Sequence, residues 1–222
     1  MPFVVTGLRR APWLAQMRSR RQLHRMRMRA QGFTLIELMV TIAVLAVLLA
    51  VAVPSFTSFR QRTILEGAGE QLASAWNEAR FDALRRDDLL KVSLANNAGD
   101  FCMGVSTTSN PADSTPCDCF AAPGTAGFCN VSVFPGATGD WNGVTAVGVP
   151  TLGGNTGVAV IDPKRGGITD SSDWGGIALQ APEGSEEYRL NFYVDTRGRA
   201  VLCEPADAPD KMPHFNGRRC SL

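Results

Sequence analysis

The sequence holds few of the residues that build metal or catalytic sites. Histidine occurs only as His24 and His214, and no two cysteines have the Cys-x-x-Cys spacing common in zinc sites. There is no nucleotide-binding glycine loop and no Ser, His and Asp constellation. Asp162, Asp170 and Asp173 match no calcium-loop spacing, so a solvated loop is the better interpretation. We therefore expect no enzyme, no metal and no cofactor.

Acidic residues and lysine are both absent from the first 32 residues. That segment instead contains eight arginines: Arg9, Arg10, Arg18, Arg20, Arg21, Arg25, Arg27 and Arg29. The rest of the chain has 14 basic and 21 acidic side chains, a net charge of −7. Because nucleic acids attract basic surfaces, an acidic body argues against a protein that coats them.

A long apolar run begins at Phe33 and ends at Val53, and Glu37 is its only charge. As a helix it would be about 30 Å long, enough to cross a bilayer once. The arginines before it predict a cytoplasmic N-terminus. A secretory signal cut after Ala50-Val51-Ala52 is the alternative. Glu37 argues against it, because a carboxylate costs about 2.5 to 3.5 kcal/mol near a membrane centre and somewhat less toward the membrane edge.

All six cysteines follow the apolar run: Cys102, Cys117, Cys119, Cys129, Cys203 and Cys220. An even number in Gly- and Pro-rich surroundings predicts disulfides in an oxidising compartment, although six cysteines allow 15 pairings. A bond between Cys117 and Cys119 would be strained, so each is expected to pair with Cys102 or Cys129. A reactive dithiol at those two positions is the less favoured alternative. Cys203 and Cys220 remain as the third pair.

Apolar residues recur every three or four positions beyond Pro54, which predicts an amphipathic helix to about Arg86. The stripe, which we expect to pack into the core rather than to form a cofactor site, comprises Phe56, Phe59, Thr63 or Ile64, Leu72, Trp76, Ala79 and Ala83 or Leu84. Pro54 is expected to kink this helix.

Short apolar or alternating runs follow the helix, separated by turn residues. They predict seven or eight strands, at 89–94, 101–105, 130–134, 145–149, 157–161, 175–179, 188–194 and 200–203, with a long Cys-rich loop at 107–129. Strands grouped after one helix indicate an α+β fold, with two antiparallel sheets against the outer part of the helix.

The segment Gly32-Phe33-Thr34-Leu35-Ile36-Glu37, followed by the apolar run and Pro54, resembles the class III signal of type IV pilins and type II secretion pseudopilins. The resemblance implies a type IV pilin-like fold, cleavage after Gly32 by a prepilin peptidase, and N-methylation of Phe33. It also implies that Glu37 pairs with the new amine at Phe33 during assembly, so that the helix contacts other pilins or pseudopilins.

The resemblance also implies a division of the chain. Residues 1–32 are expected to be a cleaved basic leader, 33–53 a transmembrane and assembly helix, 54–86 its outer half, and 87–222 a periplasmic β-rich domain with disulfides. The expected location is the inner membrane, crossed once, and a cell-surface filament after assembly. Translation is expected to start at Met17, Met26 or Met28, because residues 26–32 already form a complete short leader.

Two looser stretches resemble FimT/GspH-type minor pilins: Leu72-x3-Trp76-x-Glu78-Ala79-Arg80-x2-Ala83-x2-Arg86, and 191–200. The expected function is a minor pilin of a type IV pilus, in adhesion, twitching motility or DNA uptake. An H-type pseudopilin of a type II secretion system is the alternative.

Direct DNA binding is a further alternative. FimT-type proteins linked to transformation carry a basic Gly-Arg-x-Arg tail, and residues 217–220 match its first two positions. The candidate contacts are Arg218 and Arg219, beside Arg197 and Arg199. The acidic body weakens this interpretation, and a solvated C-terminus is favoured.

Overall fold

The computed structural model describes residues 32–135, 141–182, 188–207, 212–215 and 218–222. The chain divides into two compact units, Met1–Val47 and Leu48–Leu222, which are considered separately. Except for Gly32, the predicted basic leader lies outside the described residues, as do its candidate start methionines.

Helix α1 is assigned to Leu35–Arg86, a range that contains residues of both units. By length and composition it is apolar enough to cross a membrane, and its most apolar window has no buried residue in the isolated chain. The helix assignment is not interrupted at Pro54, so the predicted kink stays a prediction.

In the second unit, one stripe of α1 packs into the hydrophobic core. It is formed by Leu65, Ala68, Leu72, Ala75, Trp76, Ala79 and Ala83. The predicted stripe was wrong at its first part, because Phe56 and Phe59 are 67% and 66% exposed. The core stripe begins several residues later, where the sheets meet the helix, and a periodic pattern does not show where that packing starts.

Two sheets complete the core. The first has the order β3-β2-β1-β5, and the second has the order β4-β6-β7-β8-β9. The strands are β1 (Leu90–Asn97), β2 (Asp100–Thr107), β3 (Ser132–Phe134), β4 (Thr145–Val147), β5 (Val158–Ile161), β6 (Gly175–Gln180), β7 (Arg189–Val194), β8 (Ala200–Pro205) and β9 (Arg219–Cys220). Short helical turns occupy Leu152–Asn155 and Pro213–Phe215. The predicted α+β fold with two sheets is therefore confirmed.

Each of the eight predicted strand segments overlaps a strand, but two details differ. The prediction missed β9, which contains only two residues and has no alternating pattern to detect. The sheets are also not wholly antiparallel, because β9 pairs with β8 in parallel.

Close contact between helix and sheet explains one glycine of α1. A Cβ atom at Gly69 would lie 2.8 Å from Leu190 Cδ2 and 3.1 Å from Leu202 Cδ2. At Gly67, by contrast, a Cβ would meet nothing within 4 Å. Gly69 therefore has a packing role in α1.

Candidate processing and assembly site

The junction expected to be cut lies directly before α1. Residues 32–34 have no regular secondary structure, and the helix begins at Leu35. A Cβ at Gly32 would meet nothing within 4 Å, and the Phe33 side chain is exposed. A peptidase would therefore meet no obstruction from the described part of the chain at this peptide bond.

Thr34 caps the helix, a role that the sequence analysis missed. The Glu37 backbone N–H donates to Thr34 Oγ1 at 3.2 Å, and the Leu38 N–H donates to the Thr34 carbonyl oxygen at 3.1 Å. The spacing Thr34-x-x-Glu37 is that of a capping box, so the signal was present in the sequence. The cap places Glu37 in the first turn, where the helix dipole favours a negative charge.

Glu37 is surrounded by exposed apolar side chains. Leu35, Ile36, Leu38, Met39 and Val40 are all more than half exposed in the isolated chain. Within the described residues, the Glu37 carboxylate has no hydrogen bond or ion pair. A continuous apolar surface of this kind requires a cover of lipid or of other protein chains, and the carboxylate requires a partner there.

In the second unit, a loop at residues 108–131, termed the cystine loop, folds over the face of the first sheet opposite α1. Disulfides join Cys102 of β2 to Cys119, and Cys117 to Cys129. The Cys117 N–H also donates to Ser93 Oγ of β1 at 3.0 Å. Because both faces of the sheet are covered, β2 is buried continuously from Phe101 to Ser106 rather than at alternate residues.

Gly104 of β2 makes this close approach possible. A Cβ at this position would collide with Cys129 Sγ and would lie 3.1 Å from Cys119 Cβ. Both disulfides of the cystine loop thus rest on a strand position that has no side chain.

A partly buried ion pair fixes the start of the same loop. Lys91 Nζ of β1 lies 3.0 Å from Asp113 Oδ2 and donates to the Thr115 carbonyl oxygen at 2.9 Å. Hydrogen bonds from the Thr115 hydroxyl and N–H, with smaller contributions from Lys91 and Thr108, outweigh burial and hold the pKa of Asp113 well below its usual range. Asp113 therefore remains ionised in its contact with Lys91.

The third disulfide joins Cys203 of β8 to Cys220 of β9. The Glu204 N–H donates to the Arg218 carbonyl oxygen at 2.9 Å, and the Asn191 amide donates to the Cys220 carbonyl oxygen at 3.3 Å. The C-terminal residues are thus tied to the second sheet by one covalent bond and by hydrogen bonds.

The four candidate DNA-contacting arginines do not form one cluster. Arg197 and Arg199 lie in the turn before β8. Arg219 of β9 instead lies beside Glu204 in the strand register, near the other end of β8. Glu204 lies five residues after Arg199 along the chain, which in a strand is a span of about 16 Å. Arg199 also forms an ion pair with Asp195 at 3.0 Å, and Arg219 donates to the Ala206 carbonyl oxygen at 2.8 Å.

Burial alone would raise the pKa of Asp195. Hydrogen bonds from the backbone and side chain of Arg199 and from the backbone of Arg197 outweigh this effect and lower it. The carboxylate thus orders the turn that carries these two arginines.

The aspartates of the predicted solvated loop form no metal-binding cluster. No group of three or more His, Cys, Asp or Glu side chains suited to a metal ion occurs in the described part of the chain. Burial, together with the neighbouring Asp170 carboxylate, raises the pKa of Asp173.

Comparisons with known proteins address the N-terminal segment. A family model described as the prokaryotic N-terminal methylation motif matches residues 27–53. A solved structure of the type IV minor pilin FimU from Pseudomonas aeruginosa is 16% identical, with a TM-score of 0.43, and the match covers 69% of this chain and 98% of FimU. The matched motif includes the Gly32-Phe33 junction, Glu37 and the apolar run. The chain therefore carries a prokaryotic N-terminal methylation motif at residues 27–53.

Proposed function

We propose that the chain is a minor pilin that a prepilin peptidase cuts after Gly32 and that then enters or primes a type IV pilus. The observation that carries this proposal is the methylation motif at residues 27–53, which leads into an apolar helix with an exposed surface. This function is structural rather than enzymatic, and its uses would be adhesion, twitching motility or DNA uptake.

Assembly would depend on Glu37 and the new N-terminus. Cleavage after Gly32 creates a free amine at Phe33, four residues before Glu37. An amine from a neighbouring subunit would neutralise the Glu37 carboxylate in the apolar interior of a filament, where an unpaired charge is costly. Apolar side chains around Glu37 would pack against the same neighbours.

The proposed location is the inner membrane, followed by the filament. Eight arginines before the apolar run favour a cytoplasmic N-terminus, which places the domain after the run in the periplasm. The three disulfides agree with an oxidising compartment.

An H-type pseudopilin of a type II secretion system is the second assignment. It requires the same cleavage and the same helix, and the FimT/GspH-like stretches at 72–86 and 191–200 suit both. Two measurements in a strain that lacks the gene distinguish the two assignments: the amount of pili sheared from the cell surface and the amount of secreted protein. Loss of secretion with intact pili would favour the pseudopilin.

Mass spectrometry of the mature protein tests the shared step. The expected product begins at N-methylated Phe33. A product beginning after Ala52 would instead indicate an ordinary secretory signal and would overturn the proposal. Glu37→Val should be cut normally but should be lost from sheared filaments, whereas Glu70→Val, a change at an exposed position in the second unit, should assemble normally.

DNA binding through Arg197, Arg199, Arg218 and Arg219 is the third assignment. The exposure of Arg197 and Arg218 supports it, because exposed arginines are available for phosphates. Gel shifts of the full chain in detergent, compared with Arg218→Ala/Arg219→Ala, test this role. Equal mobility shifts for both proteins would exclude a contribution of the tail.

A further inference from the structure

A cavity of about 680 Å³ lies between the cystine loop, the start of β2 and residues 141–145. Its volume is within the range of about 300 to 1,000 Å³ that is usual for ligand sites. The proposed assembly function does not use this cavity.

Four aromatic side chains line the cavity. Phe101 and Trp141 are 2% and 7% exposed, so the accessible aromatic surface comes from Phe120 and Phe128. Phe101 and Trp141 stack with ring centroids 4.7 Å apart, and the Trp141 indole N–H donates to the Phe101 carbonyl oxygen at 2.8 Å. Phe120 and Phe128 of the cystine loop line the same cavity, and Phe120 is 46% exposed. Aromatic ring faces attract cations, most strongly where water is partly excluded.

The cavity also carries a negative charge. Asp100 is exposed and lines it, whereas no lysine or arginine is found among its described lining residues. Within the described part of the chain, the Asp100 carboxylate has no ion pair. The net charge of −7 after the leader adds a long-range attraction for cations.

We propose that this cavity binds a lysine or arginine side chain together with an adjacent apolar residue, both presented by a peptide segment of a partner protein. The ammonium or guanidinium group would lie near Asp100 and the exposed ring of Phe120. The cavity is larger than one such group requires, and Val133 and Pro135 provide an apolar wall for the neighbouring residue.

The Cys102–Cys119 disulfide holds this site together. Both cysteines line the cavity, and the bond fixes the residue before Phe120 to the residue after Phe101. Loss of this disulfide should therefore weaken peptide binding, while loss of Cys203–Cys220, which lies at the second sheet, should not.

Fluorescence anisotropy of the full chain in non-ionic detergent tests the proposal. The probe is a labelled Pro-Lys-Phe-Lys-Pro peptide, and the comparison peptide has norleucine, a neutral side chain of similar length, at both lysines. We expect saturable binding of the lysine peptide and at least fivefold weaker binding of the norleucine peptide.

Protein variants locate the binding. Asp100→Asn and Phe120→Ala should each weaken the lysine peptide at least fivefold, whereas Asp88→Asn and Phe81→Ala, changes at exposed residues outside the cavity lining, should not. Cys102→Ala/Cys119→Ala should reduce binding, and Cys203→Ala/Cys220→Ala should preserve it.

Three results would overturn the proposal. They are no saturable binding of the lysine peptide, equal binding of the norleucine peptide, and binding that neither Asp100→Asn nor Phe120→Ala weakens. Competition with tetramethylammonium tests whether the site takes a peptide segment or a small cation. If it binds this site as tightly as the peptide does, the site takes a small cation rather than a peptide segment.

Discussion

The indole N–H of Trp76 on α1 donates to the carbonyl oxygen of Gly198, 2.9 Å away, in the turn between β7 and β8. Trp76 is fully buried, and its ring also meets Phe192 edge to face. The Gly198 N–H closes the turn by donating to the Asp195 carbonyl oxygen at 2.7 Å. Residues far apart in the sequence thus connect the helix to the second sheet.

Replacing Trp76 with Phe should destabilise the second unit. The substitution removes the donor and leaves the Gly198 carbonyl oxygen without this partner, a loss of about 1 to 3 kcal/mol in the free energy of unfolding. Denaturant unfolding followed by circular dichroism measures the effect. Trp174→Phe, at a residue 43% exposed, is the matched control and should change stability by less than about 0.5 kcal/mol. Equal losses in the two variants would contradict the assigned role of this hydrogen bond.

Gly104→Ala should disturb the cystine loop. The added methyl group would collide with Cys129 Sγ, so the strand or both disulfides would have to move, at a cost of about 1 to 3 kcal/mol. Non-reducing peptide mapping and thermal unfolding should show lower stability with incomplete or exchanged disulfides. Gly67→Ala, in open space on α1, should be neutral or stabilising by up to about 1 kcal/mol. Native stability and pairing in Gly104→Ala would show that the loop does not rest on this position.

Asp113→Asn should change the response of the protein to acid. The folded-state pKa of Asp113 lies below its unfolded value of about 3.9, so the ionised carboxylate stabilises the fold above that value. This contribution is lost as the pH falls below about 3.9 toward the folded pKa.

We therefore expect wild type to exceed Asp113→Asn by about 1 to 2 kcal/mol near neutral pH, and the difference to shrink in acid. Unfolding midpoints measured across the acid range test this, with Asp88→Asn as an exposed control. A pH-independent difference would show that ionisation of Asp113 does not stabilise the fold.

Removing the C-terminal disulfide with Cys203→Ala/Cys220→Ala should cost about 3 kcal/mol. The bond closes a loop with a sequence separation of 17, and its loss increases the conformational freedom of the unfolded chain. Because β9 has only two residues, we also expect faster hydrogen exchange at the Glu204 amide, which bonds to Arg218. Unchanged exchange at that amide would mean that hydrogen bonding alone holds the C-terminus.

Local patterns explain why much of the fold was predictable. The α1 end at Arg86 and the first eight strands follow from apolar periodicity and turn residues, which depend on neighbours in the sequence. The prediction that Phe56 and Phe59 belong to the buried stripe was wrong, because burial depends on where the sheets meet the helix. Thr34 was missed although its capping-box spacing was visible.

The sequence by itself determined the methylation motif that contains Gly32-Phe33, the apolar segment with its single Glu37, and the division between an arginine-rich N-terminal segment and an acidic remainder. These features depend on the identity and spacing of adjacent residues. Only the tertiary structure decided that Cys102 pairs with Cys119, that two disulfides pack against Gly104, and that Phe101, Trp141 and Asp100 line one cavity. Such contacts join distant segments, and the packing of two sheets on one helix selects them from many combinations that the sequence alone permits.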